Sequence, residues 1–250
     1  MRTIEVTVTL ADLINRFPSL ARGLERRGLD YCCGGHRTLA EACRPLGLDA
    51  GETARELSEE FAAEQEEGYW VEMGPVELVD HLEATHHLYL HEELPRLGAL
   101  ADKVEATHGA NHPELLDVVN TFRALRADLE PHLMKEERVL FPMVRELAAA
   151  EGLPSFHCGS INNPISAMVF EHQGAGRLLD QLVDLTDGFQ PPADSCASYK
   201  AFYQGLAELS ADTRMHIHKE NNSLFPAVLR IEEGFLTMGT VTGAEVTGRG

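Results

Sequence analysis

Apolar side chains recur at helical spacing along most of the chain. Leu10, Leu13, Ile14 and Phe17 lie three or four positions apart, which predicts short helices near the amino terminus. Longer segments with the same period follow, separated by glycine and proline: residues 75–107, 113–149, 163–187 and 195–233. Four long helices with modest connections are typical of a four-helix bundle. The pattern therefore predicts an all-α protein.

An acidic stretch with helix breakers divides the chain. The sequence AAEQEEGYWVEMGP, over residues 62–75, ends in Gly74 and Pro75, as a boundary between two packed units often does. The segment before this stretch has apolar residues at helical spacing. The last segment of the chain is rich in glycine and lacks that spacing. We predict a small helical domain, a linker, the bundle and a flexible tail, over residues 1–62, 63–74, 75–233 and 234–250.

The bundle contains an internal repeat. Residues 132–142 read HLMKEERVLFP and residues 216–226 read HIHKENNSLFP, so HxxxExxxLFP occurs on the second and the fourth predicted helix. Such a repeat predicts two similar helical hairpins that pack around a pseudo-twofold axis. A site on that axis should be symmetric.

The repeated residues suit metal binding. Residues four apart share a helix face, so His132 points the same way as Glu136, and His216 the same way as Glu220. Apolar neighbours predict that this face turns inward, where an ionised carboxylate is costly unless it is paired or binds a metal. A single HxxxE pair is commonly a surface ion pair, but its duplication with the same ending favours a dinuclear metal site.

The first and third helices should supply matching histidines. His87 precedes His132 by nearly the interval at which His172 precedes His216, and its rivals His86 and His91 fit less well. Two histidines then serve each metal ion, and both glutamates are available as bridges. The predicted ligands are His87, His132, Glu136, His172, His216 and Glu220.

Imidazole and carboxylate ligands suit iron or manganese, with mixed iron and zinc occupancy left open. A site of this kind in a bundle leaves coordination positions vacant for a small molecule such as O₂ or NO. The other histidines singled out lack the support of the repeat, and we interpret them as neighbours of the site or surface groups: His81, His86, His91, His108, His112 and His218.

Two adjacent cysteines lie in the sequence DYCCGG. Neighbouring Cα atoms are too close for an ordinary disulfide, so Cys32 and Cys33 are predicted to be thiols. Gly34 and Gly35 permit backbone conformations that would expose both sulfur atoms. The alternative is that both cysteines are small buried apolar residues. The remaining cysteines are interpreted as structural: Cys43, Cys158 and Cys196.

Charge and composition exclude some partners. The chain has 21 Lys and Arg against 40 Asp and Glu, a formal net charge of -19, which disfavours nucleic acid and anionic membranes. No apolar stretch approaches a membrane span and no signal segment is recognisable. Five cysteines without regular spacing suit a reducing compartment, so we expect a cytoplasmic protein. The sequence leaves a homodimer open.

Together these motifs resemble the iron–sulfur cluster repair di-iron proteins, also called the repair-of-iron-centres family. The resemblance extends to about Ala227 and rests on DYCCGG, EELPRL, HLMKEERVLFPM, NPISAMVFEHQGAG and HIHKENNSLFP. It implies a hemerythrin-like bundle in which the six predicted ligands hold two iron ions, with Glu136 and Glu220 bridging. It also implies repair of iron–sulfur clusters damaged by nitric oxide or peroxide, through iron donation.

Three functions follow as hypotheses. The first is an iron-donating repair factor, with damaged iron–sulfur proteins as partners and with Cys32 and Cys33 as a reactive thiol pair that meets the bundle iron or the damaged cluster. The second is a di-iron nitric oxide reductase or peroxidase. The third is an O₂ or NO sensor. Reversible O₂ storage is disfavoured, since the resemblance implies fewer histidine ligands than in an oxygen-carrying hemerythrin.

Overall fold

The computed structural model describes residues 4–61 and 69–243, with side chains over 4–60 and 69–237. Four short helices form an amino-terminal unit: α1 (Leu10–Arg16), α2 (Ala21–Glu25), α3 (Leu39–Cys43) and α4 (Ala50–Phe61). Thr9 and Thr38 start α1 and α3, since the hydroxyl of each accepts a hydrogen bond from a backbone N–H of the first turn. The same two threonines form an isolated β-bridge that ties the two helix starts together.

Four long helices form the bundle. They are α5 (residues 75–108), α6 (115–149), α7 (Asn162–Leu185) and α8 (197–243). Pro75 at the first turn and the Glu77 carboxylate on the Gly74 N–H fix the start of α5. Each helix packs on the ones before and after it along the chain, and α8 closes the ring on α5. The all-α prediction is confirmed.

Three bundle helices contain one wide π-helical turn each. These turns are Glu83–His87 in α5, Glu136–Leu140 in α6 and Glu220–Leu224 in α8. The last two end just before Pro142 and Pro226 of the LFP repeat. Proline has no N–H to donate and its ring collides with the carbonyl four residues back, so the backbone widens there. The repeat thus marks a backbone distortion, and such turns are frequent at functional sites.

The predicted flexible tail is wrong over residues 234–243, because α8 continues through its last segment Phe225–Gly243. Leu229, Ile231 and Phe235 pack against the core, which extends the apolar stripe past Gly234. This packing outweighs the helix penalty of glycine, about 1 kcal/mol per residue. The rest of the predicted tail lies outside the described residues.

The last part of the predicted linker packs against both units. Tyr69–Glu72 forms a 3₁₀ turn in which Trp70 is buried. Its indole N–H donates to Asn15 Oδ1 of α1 at 3.3 Å, and the Lys219 ammonium lies 4.7 Å from the ring centroid. The start of the predicted linker lies outside the described residues. Trp70 therefore joins the amino-terminal unit to α8.

Within the described part of the chain, every helix is too short or too polar to cross a bilayer.

Candidate metal centre

The six predicted ligands meet inside the bundle. The four histidines are at most 3% exposed, and Glu136 and Glu220 are fully buried. One residue comes from α5, one from α7 and two each from α6 and α8. Their ligand atoms form two groups of four, each within 4.8 Å, and both glutamates belong to both groups: His87, Glu136, His216, Glu220 and His132, Glu136, His172, Glu220.

Glu136 turns one carboxylate oxygen toward each group. Its Oε2 lies 3.5 Å from His87 Nε2 and 3.8 Å from His216 Nε2. Its Oε1 lies 3.3 Å from His132 Nε2 and 4.0 Å from His172 Nε2. A carboxylate in this position can bridge two metal ions.

Glu220 repeats this arrangement from the opposite helix. Its Oε1 lies 3.2 Å from His216 Nε2, and its Oε2 lies 3.1 Å from His172 Nε2. The relation between Glu136 and Glu220 is the pseudo-twofold symmetry that the sequence repeat predicts. Each group therefore offers two imidazole nitrogens and two carboxylate oxygens, which leaves an octahedral ion two open positions.

Several of these atoms lack hydrogen-bond partners. Both oxygens of Glu136 and of Glu220, together with Nε2 of His87 and of His216, are buried and make no hydrogen bond with the described residues. Buried polar groups are normally paired, and an unpaired carboxylate is costly. One cation bound within each group would satisfy these atoms. The residues present therefore fit a pair of metal ions.

Hydrogen bonds on the side away from the cluster orient three of the histidines. The Nδ1 atoms of His87, His132 and His172 lie 3.0, 2.9 and 2.9 Å from Glu137 Oε1, Glu171 Oε2 and Asn221 Oδ1, respectively. An Nδ1–H that donates outward leaves Nε2 free to bind a metal, and it fixes the plane of the ring. These three histidines are thus held in a ligating orientation.

The charges in the cluster shift its pKa values. Burial lowers the pKa of His132, but the carboxylates of Glu136 and Glu220 outweigh burial and raise it to about 9. Burial raises the pKa of Glu220, but His216 and His172 hold it well below its usual range. At neutral pH and before any metal binds, these shifts favour an ionised carboxylate at Glu220 and a protonated imidazole at His132.

The rivals of His87 lie outside the two groups. His86 Nδ1 is 2.8 Å from Asp212 Oδ1, and its Nε2 is 2.9 Å from the buried Lys219 Nζ. His91 is half exposed and binds Glu137. His81 also contacts Lys219, at 2.8 Å. The interval in the sequence thus selects the histidine that faces the cluster.

The remaining histidines lie elsewhere. His108 Nε2 is 3.1 Å from the Sγ of Cys196, an exposed cysteine that precedes the first turn of the segment Ala197–Lys219. His112 lies beside Asp194 and Glu114. His218 is buried between α8 and the amino-terminal unit, with Nε2 3.0 Å from Asn15 Oδ1.

The two adjacent cysteines dock on the bundle. Their sulfur atoms are 3.8 Å apart, and the Cys32 thiol donates to Asp30 Oδ1 at 3.2 Å. Cys32 is only 2% exposed, so the expectation that both sulfurs are exposed is wrong for this residue; Cys33 is half-buried. The hydrogen bond with Cys33, and then burial, raise the pKa of Cys32 well above its usual value. Cys33 is the more accessible thiol.

Gly35 serves close packing. A Cβ at this position would lie 2.5 Å from Asn222 Oδ1 and 2.7 Å from the Tyr31 carbonyl oxygen, so only glycine lets the loop reach α8. Cys33 Sγ in turn lies 3.8 Å from where a Cβ of Gly176 on α7 would stand. The DYCCGG loop is therefore seated between α7 and α8, next to the cluster.

A cavity adjoins two of the clustered histidines. It has a volume of about 300 Å³ and lies between α6 and α7, where His132 and His172 form part of its wall. Lys135, Arg177 and Phe170 also line it. A small molecule in this cavity would lie against these two histidines.

Sequence patterns did not reveal the outer partners. Glu137 and Glu171 adjoin predicted ligands, and Asn221 follows Glu220, but adjacency on a helix does not place two side chains on one face. Lys219 repeats Lys135 of the first copy, but the repeat does not indicate that its ammonium contacts His86, and Asp212 lies outside the repeat. Only the pseudosymmetry around the axis could have pointed to such positions.

Two family descriptions match the chain. "Hemerythrin HHE cation binding domain" matches residues 78–228, and "Domain of Unknown function (DUF542)" matches residues 7–60. The first covers the bundle and the whole cluster. The bundle is therefore a cation-binding domain of hemerythrin type, as the resemblance implied.

Curated relatives match along most of their length. The "Probable iron-sulfur cluster repair protein" of Haemophilus influenzae is 36% identical over 222 residues, which is 88% of this chain and 96% of the relative. The "Iron-sulfur cluster repair protein YtfE" of Enterobacter sp. (strain 638) and that of Escherichia coli O1:K1 / APEC are each 34% identical over 220 residues, with the same coverage. The chain belongs to the family of iron–sulfur cluster repair proteins that join a hemerythrin-type cation-binding bundle to an amino-terminal DUF542 domain.

Proposed function

We propose that this protein repairs iron–sulfur clusters damaged by nitrosative or oxidative stress, and that two iron ions held by the six buried residues are the source of the iron. The observation that carries the proposal is the symmetric cluster, in which Glu136 and Glu220 each present one oxygen to each of the two groups of ligands. Relatives named as iron–sulfur cluster repair proteins support the function.

The ligand set is compatible with iron. It contains imidazole and carboxylate groups and no thiolate, a combination that suits iron, manganese or zinc. Each group leaves open positions, so iron held there would be accessible to ligands and able to leave. His132, protonated in the metal-free cluster, must lose its proton when it becomes a ligand.

The cysteine pair supplies a second element of the proposal. Cys33 is half-buried beside α7, and its thiolate is a soft ligand for iron and for nitrosyl-iron species. Cys32 is protonated and buried, which suits a supporting role. We propose that Cys33, with Cys32, meets iron on its way to the damaged cluster.

The test is reactivation of an iron–sulfur dehydratase whose cluster has been damaged by nitric oxide. The iron-loaded protein should restore dehydratase activity without added iron. A chelator that captures iron free in solution should not prevent this reactivation. Glu136→Ala and Glu220→Ala should abolish reactivation through loss of iron. Cys32→Ser/Cys33→Ser should bind iron normally but reactivate slowly. Normal reactivation by the iron-free Glu variants would refute iron donation.

The cavity favours a second candidate function. His132 and His172 line it, so small movements of these side chains would admit two molecules of NO to a dinuclear site, where reduction to N₂O and water would consume two electrons and two protons. Sustained N₂O formation with an electron donor, lost when the cavity is filled by Ala175→Phe, would support nitric oxide reduction. A single stoichiometric burst of N₂O would instead indicate one turnover that oxidises two ferrous ions, and the absence of N₂O would indicate NO binding alone.

A further inference from the structure

Two consecutive asparagines hold the cysteine loop on the bundle. Asn221 Nδ2 and Asn222 Nδ2 each donate to the carbonyl oxygen of Cys32 at 3.2 Å. Only Asn221 makes a second contact toward the cluster, where its Oδ1 lies 2.9 Å from His172 Nδ1. One amide therefore spans from the cysteine backbone to a predicted metal ligand.

The geometry fixes the direction of each hydrogen bond. His172 Nε2 faces the cluster, 3.1 Å from Glu220 Oε2, so the outward Nδ1 carries the hydrogen when Nε2 binds a metal. That N–H donates to the amide oxygen of Asn221. The Cys32 carbonyl can only accept, so it takes the amide NH₂. A single orientation of the Asn221 amide satisfies both ends.

We propose that Asn221 couples metal binding at His172 to docking of the Cys32–Cys33 loop. The inference rests on the proposed function in one respect, since it requires a metal ion in the cluster. Asn221 is a positioning residue, because it acts through His172 and the loop backbone. The docked loop holds the amide, and the amide holds the imidazole in its ligating orientation. By linkage, a bound metal must stabilise the docked loop by the same free energy.

The coupling has a consequence for the thiols. Cys33 Sγ lies against Gly176, one helical turn beyond His172 on α7, so undocking of the loop exposes it. The thiols are then shielded while iron is held and become available as iron leaves. This sequence would make a soft iron ligand available during transfer.

The experiment measures alkylation of Cys33 by iodoacetamide without oxygen, in metal-free protein and after loading with Fe²⁺. Peptide mass spectrometry assigns the modified cysteine, and exposed Cys196 serves as an internal reference. Fe²⁺ should slow alkylation of Cys33 about fivefold or more in the unmodified sequence, a coupling of ordinary size. The rate at Cys196 should not change.

Three variants test whether the side-chain amide of Asn221 is responsible for the coupling. Asn222→Ala removes a hydrogen bond to the same carbonyl but leaves His172 untouched, so Fe²⁺ should still slow the reaction. Asn221→Ala should abolish the slowing and weaken Fe²⁺ binding about tenfold. Asn221→Asp keeps an acceptor for His172 but has no donor for Cys32, so it should bind Fe²⁺ yet lose the slowing. This last variant separates coupling from a general structural defect.

If Fe²⁺ slows the alkylation of Cys33 as much in Asn221→Ala as in the unmodified protein, the inference is overturned. That result would indicate direct binding of iron by the thiol. The inference is also overturned if Fe²⁺ no longer slows the alkylation of Cys33 in Asn222→Ala. Docking of the loop alone would then explain the effect. In both cases normal Fe²⁺ binding leaves the proposed function standing. Failure of the unmodified protein to bind Fe²⁺ would overturn both.

Discussion

At the scale of single residues, the candidate histidine ligands are held in two ways. His87, His132 and His172 each have an outward hydrogen-bond partner, whereas His216 Nδ1 has none among the described residues. The ring of His216 instead stacks on His86, with centroids 5.5 Å apart. Packing thus orients one histidine, and acceptor groups orient the others.

Removal of an outer acceptor should weaken metal binding without abolishing it. Glu171→Ala deletes the partner of His132 Nδ1, which should reduce Fe²⁺ affinity about 10- to 100-fold. Anaerobic competition with a colorimetric chelator measures the change. Glu130→Ala, which removes a carboxylate paired with Arg126 on the same helix, is the control and should bind as before. Equal affinities in the two variants would mean that Glu171 does not orient His132.

Cys196 should be the fastest thiol to react at neutral pH. The backbone N–H of Tyr199, and then the His108 imidazole, lower the pKa of Cys196 to about 7. Its alkylation rate should therefore rise with pH around a midpoint near 7. His108→Gln should move the midpoint upward, whereas His112→Gln should leave it in place. A midpoint near the ordinary cysteine value in the unmodified protein would contradict this account.

The sequence predicted the six clustered residues because a repeat and a common interval constrain them. It could not predict Asn221, whose role depends on where the cysteine loop docks on α8. Burial of Cys32 likewise depends on that docking and leaves no periodic signal. Periodicity in the sequence could therefore predict the ligands on the axis of the bundle, but it could not predict contacts between the amino-terminal unit and the bundle.

At the scale of elements, the interface between the amino-terminal unit and α8 is polar at its centre. His218 is fully buried there, and burial lowers its pKa to about 4. The helix period identified α8 up to residue 233, but it gave no indication that this helix would also carry the contacts to Asn15 and Tyr31.

Acid should loosen this interface. The folded pKa of His218 lies below the unfolded value of about 6.5, so the unfolded state binds the extra proton first, and stability falls as the pH drops from about 6.5 to about 4. At pH 5 the loss is about 2 kcal/mol of unfolding free energy. Urea titrations followed by the fluorescence of Trp70, the single tryptophan, measure it. His218→Gln should flatten the pH dependence, and an unchanged slope would assign the effect to other groups.

At the scale of the whole molecule, the core is built around an internal charge cluster. Glu136 and Glu220 are fully buried in a bundle that is otherwise packed with leucine and phenylalanine. These carboxylates make no hydrogen bond with the residues that the structure describes, so their burial costs stability unless a cation pairs with them.

Metal binding should therefore stabilise the fold. Fe²⁺ at about 1,000 times its dissociation constant should add about 4 kcal/mol per bound ion to the unfolding free energy. Anaerobic differential scanning calorimetry should show a higher Tm with Fe²⁺ than with a chelator. The Glu136→Ala/Glu220→Ala variant should show the same Tm under both conditions; a shift of equal size in that variant would place the binding site elsewhere.

The central claim is that six buried residues hold two iron ions. The most direct test is the metal content per chain of protein purified without oxygen, measured beside Glu136→Ala and Glu220→Ala. The account predicts two irons per chain in the unmodified protein and their loss in both variants. Zinc alone, or no metal, with no effect of either substitution, would contradict it.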